Sequence, residues 1–268
     1  MYQQFFGLSA MPFDNTPNPK FFYEDEQHAE AFARIAYVLR EKRSCAVLTG
    51  VYGCGKTMVV QAVKKELDNE GYRFSLVTNP QLDNLDMLRM IQHGFKDTEI
   101  SRQKADVLMA LEKTIKEIAS DGKHAVIIID EAHTIEEKGV FEELRLLLNY
   151  QTETSYLVSL VLVGQPELSD KIESNKQFNQ RVAIKCHLGP YDEATTRAYI
   201  NHRLGIACSA PGLFNDEALA VIFQRSGGIP RWINNMCHMS LMTAFSKNER
   251  TVGAPTVKEA LLSMEGNG

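Results

Sequence analysis

The segment GVYGCGKT at residues 50–57 constrains the fold of this chain more than any other part of the sequence. It matches the pattern G-x-x-x-x-G-K-[ST], with an apolar run typical of a strand before it and an amphipathic helical pattern after it. In such a loop, glycines let the backbone curl so that its N–H groups point at phosphate oxygens, and the positive end of the next helix dipole faces the same anion. The segment therefore predicts a phosphate-binding loop in an α/β fold.

The loop residues have separate expected roles. Lys56 is expected to reach the outer phosphates of a nucleotide, and Thr57 to be a ligand of Mg²⁺. The other expected nucleotide-binding positions of this segment are Gly50, Gly53, Cys54, Gly55 and Met58. Because Cys54 lies within the loop, we expect its alkylation to obstruct nucleotide binding. The motif alone does not distinguish ATP from GTP.

A second motif, AVIIIDEAH at residues 125–133, is an apolar strand that ends in two adjacent carboxylates. At the carboxyl edge of a parallel sheet, Asp130 is expected to hold Mg²⁺ through a water and Glu131 to polarise the attacking water. The alternative is that both acids simply end the strand in solvent. His133 has two interpretations, a sensor of the nucleotide or a cap of the strand end, and the sequence favours the cap.

The rest of the first 189 residues alternates strands with helices, which predicts a five-stranded parallel sheet covered on both faces. The predicted strands are residues 45–49, 74–78, 125–130, 156–163 and 182–188. The predicted helices are residues 26–43, 56–67, 85–93, 101–119, 141–150 and 166–172.

After Pro190 the pattern is helical only, over residues 192–205, 216–224, 230–246 and 257–264. Asn215 and Thr256 are expected N-caps, the latter in a capping box with Glu259. The expected organisation is an aromatic and proline-rich strap at residues 1–24, a core at 25–189 and a small helical lid at 190–268. The strap is expected to pack across the core, or in part to wall a ligand pocket.

Together, the phosphate loop, the D-E-A-H carboxylates and the trailing helices resemble the AAA+ ATPases. More narrowly, the chain resembles the ExeA/GspA-type ATPases of general secretion and their relatives in pilus biogenesis and in transposition (TnsC-like). Other segments carry this resemblance: FFGL at 5–8, PF at 12–13, TPNP at 16–19, His28, VGQPEL at 163–168, NQR at 179–181 and GGIPRWIN at 227–234.

The resemblance implies roles for further residues. Gln165 would be a polar sensor that orients the lytic water or touches the γ-phosphate, or else an exposed turn residue. Arg181 would be an arginine finger for the site of a neighbouring subunit, or else a surface arginine in an ion pair. Arg231 would fold over the nucleotide from the lid, or form a structural salt bridge, with Pro230 and Ile229 against the adenine.

The implied function is a Mg²⁺-dependent, homo-oligomeric AAA+ ATPase that powers or regulates assembly of a secretion or pilus system through a protein partner. The alternative is an ATP-gated regulator of transposition that binds double-stranded DNA. Basic side chains available for DNA, or for an ordinary solvated helix face, are Lys64, Lys65, Arg73, Arg102 and Lys104. A slow nucleotide switch that acts as a scaffold is a third class, against which the intact Glu131 argues.

The composition limits the class of protein and the cellular compartment that fit this chain. With 29 basic and 34 acidic residues among 268, the net charge of −5 argues against a protein that coats nucleic acid. The five cysteines form no C-x-x-C pair, so zinc clusters and disulfide scaffolds are not expected and a reducing cytoplasm fits. No apolar run approaches the roughly 20 residues of a spanning helix, and the N-terminus does not resemble a signal peptide.

The fuller secretion ATPases that the chain resembles continue into a membrane span and a wall-binding region. This sequence stops at Gly268, so we expect either a shorter relative that acts through a membrane partner or a chain whose remainder has been removed. The expected location is the cytoplasm, peripheral to the inner membrane through that partner.

Overall fold

The computed structural model describes residues 2–68, 70–95, 101–207 and 212–265, so Cys208 lies outside the described residues. The chain divides into two compact units. The sheet unit comprises Glu26–Tyr52 and Val59–Leu188, and the helical unit comprises Met1–Asp25, Gly53–Met58 and Gly189–Gly268. The phosphate loop therefore begins in the sheet unit and continues in the helical unit.

The sheet has five strands: β1 (Cys45–Gly50), β2 (Tyr72–Val77), β3 (His124–Ile129), β4 (Val158–Gly164) and β5 (Val182–Leu188). All neighbours pair in parallel, in the order β2-β3-β4-β1-β5. The predicted five-stranded parallel sheet is confirmed. Strands β1, β3 and β4 are buried along their whole length, as expected for a parallel sheet covered on both faces.

The helices are α1 (Tyr2–Phe6), α2 (Glu26–Arg40), α3 (Lys56–Leu67), α4 (Asn84–Gly94), α5 (Lys104–Ser120), α6 (Lys138–Leu147), α7 (Glu167–Ser174), α8 (Lys176–Asn179), α9 (Glu193–Ala207), α10 (Asp216–Ser226), α11 (Pro230–Ser246) and α12 (Ala254–Glu265). Short 3₁₀ turns cover Pro19–Phe21 and Ala132–Thr134. Among the described residues, no helix is both long and apolar enough to cross a bilayer.

The core of the sheet unit forms where apolar helix faces cover the buried strands. Helix α5 shows why: Val107, Leu111, Ile115 and Ile118 recur at helical spacing and all are buried. They belong to one apolar cluster with residues of β3 and β4. Each fully buried aliphatic side chain contributes about 1.5–3 kcal/mol relative to an exposed one.

The helical unit has a core of its own, and the N-terminal strap is part of it. Phe13 and Phe21 are buried in the same cluster as residues of α9, α10, α11 and α12. The Ser9 N–H donates to the Ala207 carbonyl at 2.7 Å. The rings of Phe13 and Phe214 lie edge to face, with their centroids 6.0 Å apart. The described residues of the strap, 2–24, therefore share a unit with the C-terminal helices.

A buried arginine ties the strap to α9. Arg203 is 3% exposed and donates to the Asp14 carbonyl at 2.9 Å and to the Tyr199 hydroxyl at 2.7 Å. Its guanidinium also lies 5.0 Å from the centre of the Phe21 ring. Charge-assisted hydrogen bonds and a cation–π contact thus offset the cost of burying this charge.

One expected cap is confirmed and one is wrong. The Asn215 side chain accepts the Ala218 N–H at 2.8 Å, as predicted. Thr256 is not an N-cap, because α12 begins at Ala254 and Thr256 is already helical. Its buried hydroxyl donates instead to the Glu249 carboxylate at 2.6 Å, and Pro255 suits the first turn because it has no N–H to satisfy.

A buried histidine lies where β3 begins. His124 is 3% exposed, and its Nε2 is 2.8 Å from the Ser159 Oγ. Ser159 gives its own hydrogen to the Arg43 carbonyl at 2.5 Å, so it accepts from His124 and the neutral ring carries its proton on Nε2. Burial, and secondarily the charge of Lys42, lower the pKa of His124 from 6.5 to about 4.

We expect acid to destabilise the protein through this residue. In the unfolded state His124 takes up a proton as the pH falls through 6.5, whereas in the folded state it stays neutral down to about pH 4. Stability is therefore full above pH 6.5 and falls by up to about 1.4 kcal/mol per pH unit as the pH drops through this window. Urea unfolding of the wild type and of His124→Gln, which keeps a donor for Ser159, should show a flatter pH dependence in the variant.

The matched control is His93→Gln, because the His93 side chain is exposed. Equal slopes in the wild type and His124→Gln between pH 6.5 and 4 would contradict the prediction.

Candidate active site

The phosphate loop leaves β1 at Gly50 and leads into α3 at Lys56, as predicted. Within the helical unit, Gly53 has a φ of +87°, which glycine adopts without a steric penalty. A Cβ at this position would lie 2.9 Å from the Arg231 Cβ and 3.0 Å from the Ile229 Cγ2. The loop backbone therefore curls and packs so closely that no larger residue fits at Gly53.

Hydrogen bonding joins this loop segment to the start of α11. The Arg231 N–H donates to the Gly53 carbonyl at 3.2 Å. Helix α11 begins at Pro230, which is buried and occupies a first-turn position. The sequence prediction of a helix that starts at residue 230 is confirmed, and Arg231 lies in its first turn.

The residues of the loop fit a phosphate group. Gly55 also has a positive φ, +92°, and the first turn of α3 contains no acidic residue. Lys56 is only 6% exposed, and Thr57 and Met58 are half-buried beside it. A lysine, a helix N-terminus and a glycine-rich backbone form the donor set that an anion requires.

Cys54, in contrast, has the properties of a packed residue. It is fully buried, and burial raises the pKa of its thiol to about 11, against an opposing effect of Lys56. Thiols react as thiolates, so this cysteine is expected to react slowly in the folded chain. The expected alkylation of Cys54 therefore requires prior opening of the loop.

At the sheet edge, polar residues follow two adjacent strands. Asp130 and Glu131 come after β3, and Gln165 comes after β4, which pairs with both β3 and β1. Because the strands are parallel, these residues and the start of the phosphate loop share the carboxyl edge of the sheet. The Asp130 carboxylate accepts the Glu131 N–H at 2.9 Å, which fixes the direction of the chain as it leaves β3.

Glu131 has an uncommon backbone. Its φ of +54° lies in the left-handed region, which non-glycine residues avoid. The Thr134 N–H and hydroxyl both donate to its carbonyl, at 2.9 Å and 2.8 Å. These hydrogen bonds therefore stabilise the left-handed backbone of Glu131 where the chain leaves β3.

His133 lies closer to the predicted chemistry than the sequence suggested. Its Nε2 is 3.0 Å from the Gln165 Nε2, and its Nδ1 is 3.4 Å from the Glu131 Oε2. The imidazole therefore stands between Glu131 and Gln165. The D-E-A-H spacing was the only sequence signal for it, since Gln165 is distant along the chain.

Arg181 immediately precedes β5, as predicted, and is half-buried. Its guanidinium donates to the Asn149 Oδ1 at 3.1 Å and to the Tyr156 hydroxyl at 3.4 Å. Among the described residues it makes no ion pair with a carboxylate. Its carbonyl accepts the Ser44 hydroxyl at 2.5 Å, so the backbone that carries it is anchored to the sheet unit.

The described residues contain no cluster of three or more His, Cys, Asp or Glu side chains that could hold a metal ion. Mg²⁺ does not need such a cluster, because it is commonly held by one or two protein ligands together with nucleotide phosphates. The hydroxyl of Thr57 and the carboxylate of Asp130, which the sequence predicts as its ligands, are each hard oxygen donors of the kind that Mg²⁺ prefers.

A family model described as an AAA domain matches residues 39–172, half of the chain. General secretion pathway protein A of Aeromonas hydrophila is similar to it, with 34% identity over 270 residues that cover 99% of this chain and 49% of that protein. The chain spans about half the length of the curated relatives it matches.

Solved structures of similar fold include the Aeropyrum pernix ORC2 protein in its ADPNP–ADP complexes, with a TM-score of 0.73 at 18% identity, covering 95% of this chain and 72% of that one. The Drosophila ORC bound to DNA gives a TM-score of 0.72 at 18% identity, covering 94% and 64%. At this level of identity the likeness is one of fold.

We expect Cys54 to resist alkylation in the folded protein. In a Cys208→Ser background, which removes the cysteine outside the described residues, iodoacetamide at pH 8 should label the four buried cysteines at least ~100-fold more slowly than in urea. Mass spectrometry of tryptic peptides locates the label. Rapid labelling that the added substitution Cys54→Ser removes would contradict the buried placement.

Proposed function

The chain belongs to the AAA domain family of ATPases, and we propose that it hydrolyses ATP with Mg²⁺ at sites completed by neighbouring copies of itself, to power or regulate assembly of a secretion or pilus system. The observation that carries the proposal is the shared sheet edge. Asp130, Glu131 and Gln165 follow adjacent parallel strands, and the strand on the other side of β4 leads into the phosphate loop.

The proposed chemistry assigns each residue one task. The loop backbone and Lys56 bind the phosphates, while Thr57 and Asp130 would hold Mg²⁺, which when bound neutralises phosphate charge. Glu131 polarises the attacking water, and its side chain is 40% exposed, so a water can reach the carboxylate. Gln165 orients that water or the γ-phosphate with its amide.

We propose that two arginines, Arg181 and Arg231, sense the nucleotide. We assign Arg181 to the γ-phosphate of a neighbouring copy, because its described partners Asn149 and Tyr156 are neutral and leave its charge uncompensated. A planar guanidinium suits the charge spread over a transferring phosphoryl group. Arg231 would follow nucleotide occupancy through its backbone bond to Gly53, with Ile229 and Pro230 toward the base.

The role in secretion is supported by the 34% identity to General secretion pathway protein A across almost this whole chain. We propose a protein component of a secretion or pilus machine, which would also keep the chain near the inner membrane.

A second candidate is the ATP-gated duplex-DNA regulator. Lys64 and Arg73 line one surface cavity together with Tyr72 and Phe74, and cations beside aromatic rings suit nucleic acid. Against it, Asp68 lines the same cavity. Lys104, another member of the basic set, is paired with Glu143 at 2.6 Å.

We expect Arg181→Ala to lower ATP turnover by about 10³-fold or more, because every site would lack its arginine finger. Glu131→Gln should bind ATP normally and lose about 10²–10⁴-fold in turnover, because the water is no longer polarised. Mixing the two variants should restore part of the activity, since an intact Arg181 from one copy can complete the intact Glu131 site of another. Phosphate release measures all three.

Arg34→Ala is the matched control, because Arg34 is an exposed arginine in an ordinary helix pair with Glu30. It should leave turnover unchanged. Failure of the two variants to complement, in mixtures where exchange of subunits is demonstrated by fluorescence energy transfer, would contradict a shared site.

A test of binding to duplex DNA distinguishes the secretion role from the DNA-regulator role. Under the secretion proposal, the fluorescence anisotropy of labelled duplex should not change when Glu131→Gln protein is added with ATP, at any salt concentration. Binding that requires ATP and weakens steeply with salt would show phosphate contacts and would favour the DNA regulator. Charge reversal at Lys64 and Arg73 should then reduce the slope of the salt dependence.

A further inference from the structure

The guanidinium of Arg181 is held by two neutral oxygen atoms. Its Nη2 donates to the Asn149 Oδ1 at 3.1 Å. Its Nη1 donates to the Tyr156 hydroxyl at 3.4 Å, which is longer than an ordinary hydrogen bond. Because the two contacts start from different nitrogens of a planar group, they fix its orientation as well as its position. The described contacts leave the other N–H groups available to a further acceptor.

Both acceptors lie in the connection between α6 and β4. Asn149 comes directly after the C-cap of α6, and the chain then turns back on itself as a short hairpin. In the hairpin, Gln151 and Tyr156 form an antiparallel bridge, and the Leu157 N–H donates to the Tyr150 carbonyl at 2.9 Å. The Tyr156 side chain packs against the apolar core of the sheet unit. The end of a helix, a bridge and core packing therefore determine where the two acceptors lie.

The backbone of Arg181 is anchored as well. Its carbonyl accepts the Ser44 hydroxyl at 2.5 Å, and its N–H donates to the Phe178 carbonyl at 2.8 Å. Phe178 is fully buried in the core of the sheet unit. With its backbone fixed, Arg181 keeps only the freedom of its long side chain, and this is the part that Asn149 and Tyr156 restrict.

The neutrality of both acceptors suits an arginine that has to bind phosphate. A carboxylate partner would hold the guanidinium in an ion pair and would compete with the phosphate for it. An amide oxygen and a phenolic hydroxyl orient the N–H groups without supplying a negative charge. A side chain that is oriented before its ligand arrives also loses less conformational entropy on binding.

We propose that Asn149 and Tyr156 are positioning residues that orient the Arg181 guanidinium for the γ-phosphate bound by a neighbouring copy. They act through Arg181 on the site of the neighbour and not on the site of their own copy. The proposal rests on the proposed function, in which Arg181 completes that site. Because the bond to Asn149 is the shorter one, its loss should cost more turnover than loss of the contact with Tyr156.

The first test removes each acceptor with little change of shape. Asn149→Leu removes the amide oxygen, and Tyr156→Phe removes only the hydroxyl and keeps the ring in place. We expect kcat to fall about 5–20-fold in Asn149→Leu, about 2–5-fold in Tyr156→Phe and about 10–100-fold in the double variant, because a misplaced group costs rate. Binding of a fluorescent ATP analogue should be unchanged. A kcat of the double variant equal to that of wild type would overturn the proposal.

Matched controls come from the same hairpin. Gln151→Leu and Tyr150→Phe make equivalent changes at neighbouring side chains, whereas the described side-chain partners of Arg181 are Asn149 and Tyr156. Both controls should turn over ATP as wild type does, and circular dichroism checks that every variant is folded. Equal losses in the controls and in the test variants would show a general effect of the hairpin and would contradict a specific role.

A double-mutant cycle tests whether the two residues act through Arg181. In the Arg181→Ala background, Asn149→Leu and Tyr156→Phe should cause no further loss of turnover, because the group that they orient is already missing. Losses as large as those in wild type would overturn the proposal.

Mixing variants decides which copy the two residues serve. Copies of the double variant keep Glu131, and copies of Glu131→Gln keep Arg181 with both of its partners. Turnover per Glu131-containing copy should therefore rise when the two proteins are mixed. No rise, in mixtures where subunit exchange is demonstrated by fluorescence energy transfer, would mean that Asn149 and Tyr156 act on their own site, against the proposal.

A measurement without turnover distinguishes failure of this inference from failure of the proposed function. The ¹⁵N order parameter of the Arg181 Nε–H, assigned by its loss in Arg181→Lys, reports how firmly the guanidinium is held. We expect it above about 0.6 in wild type and below that value in the double variant. An order parameter that is equal in the two proteins would overturn the positioning role. If Arg181→Ala turns over ATP as wild type does, the shared site of the proposed function fails, and the order parameter still decides whether the two residues hold the arginine.

Discussion

Parallel pairing of β4 with β1 on one side and β3 on the other is the constraint on which the candidate site depends. Since all three strands are buried along their length, their register cannot slip without moving apolar side chains into solvent or gaps into the core. That register brings the start of the phosphate loop, Asp130, Glu131 and Gln165 to one edge. Polar groups far apart in sequence are thereby fixed by the burial of apolar ones.

The helical unit uses a different means to organise its part of the loop. Its core combines apolar faces of α9 to α12 with aromatic side chains of the N-terminal strap, and the buried Arg203 joins the strap to α9. The backbone bond between Arg231 and Gly53 places the first turn of α11 against the loop. Residues from both ends of the chain thus share a unit with the segment Gly53–Met58.

Glu131, where the proposed chemistry occurs, is one of the described non-glycine residues with a left-handed backbone, as are Lys42 and Asn248. The left-handed backbone of Glu131 belongs to a kind that costs about 1–3 kcal/mol. Hydrogen bonds from the Thr134 hydroxyl to the Glu131 carbonyl and from the Glu131 N–H to the Asp130 carboxylate stabilise it. His133, brought in by the following turn, lies next to the strained residue.

The sequence by itself determined the five strands, the phosphate loop and the succession of helices, because strand alternation, glycine spacing and helical periodicity are local properties. It predicted β5, α3 and α11 at their observed bounds. Other ends differ by a few residues: α6, predicted over residues 141–150, runs over Lys138–Leu147, with Val140 buried in its first turn.

Only the tertiary structure decided which distant residues meet. It placed the strap in the helical core, engaged Thr256 with Glu249 where the sequence suggested a cap, and buried Cys54 within the loop. It also put His133 between Glu131 and Gln165. Each of these outcomes depends on contacts between segments far apart in the chain, whose packing no local pattern of residues encodes.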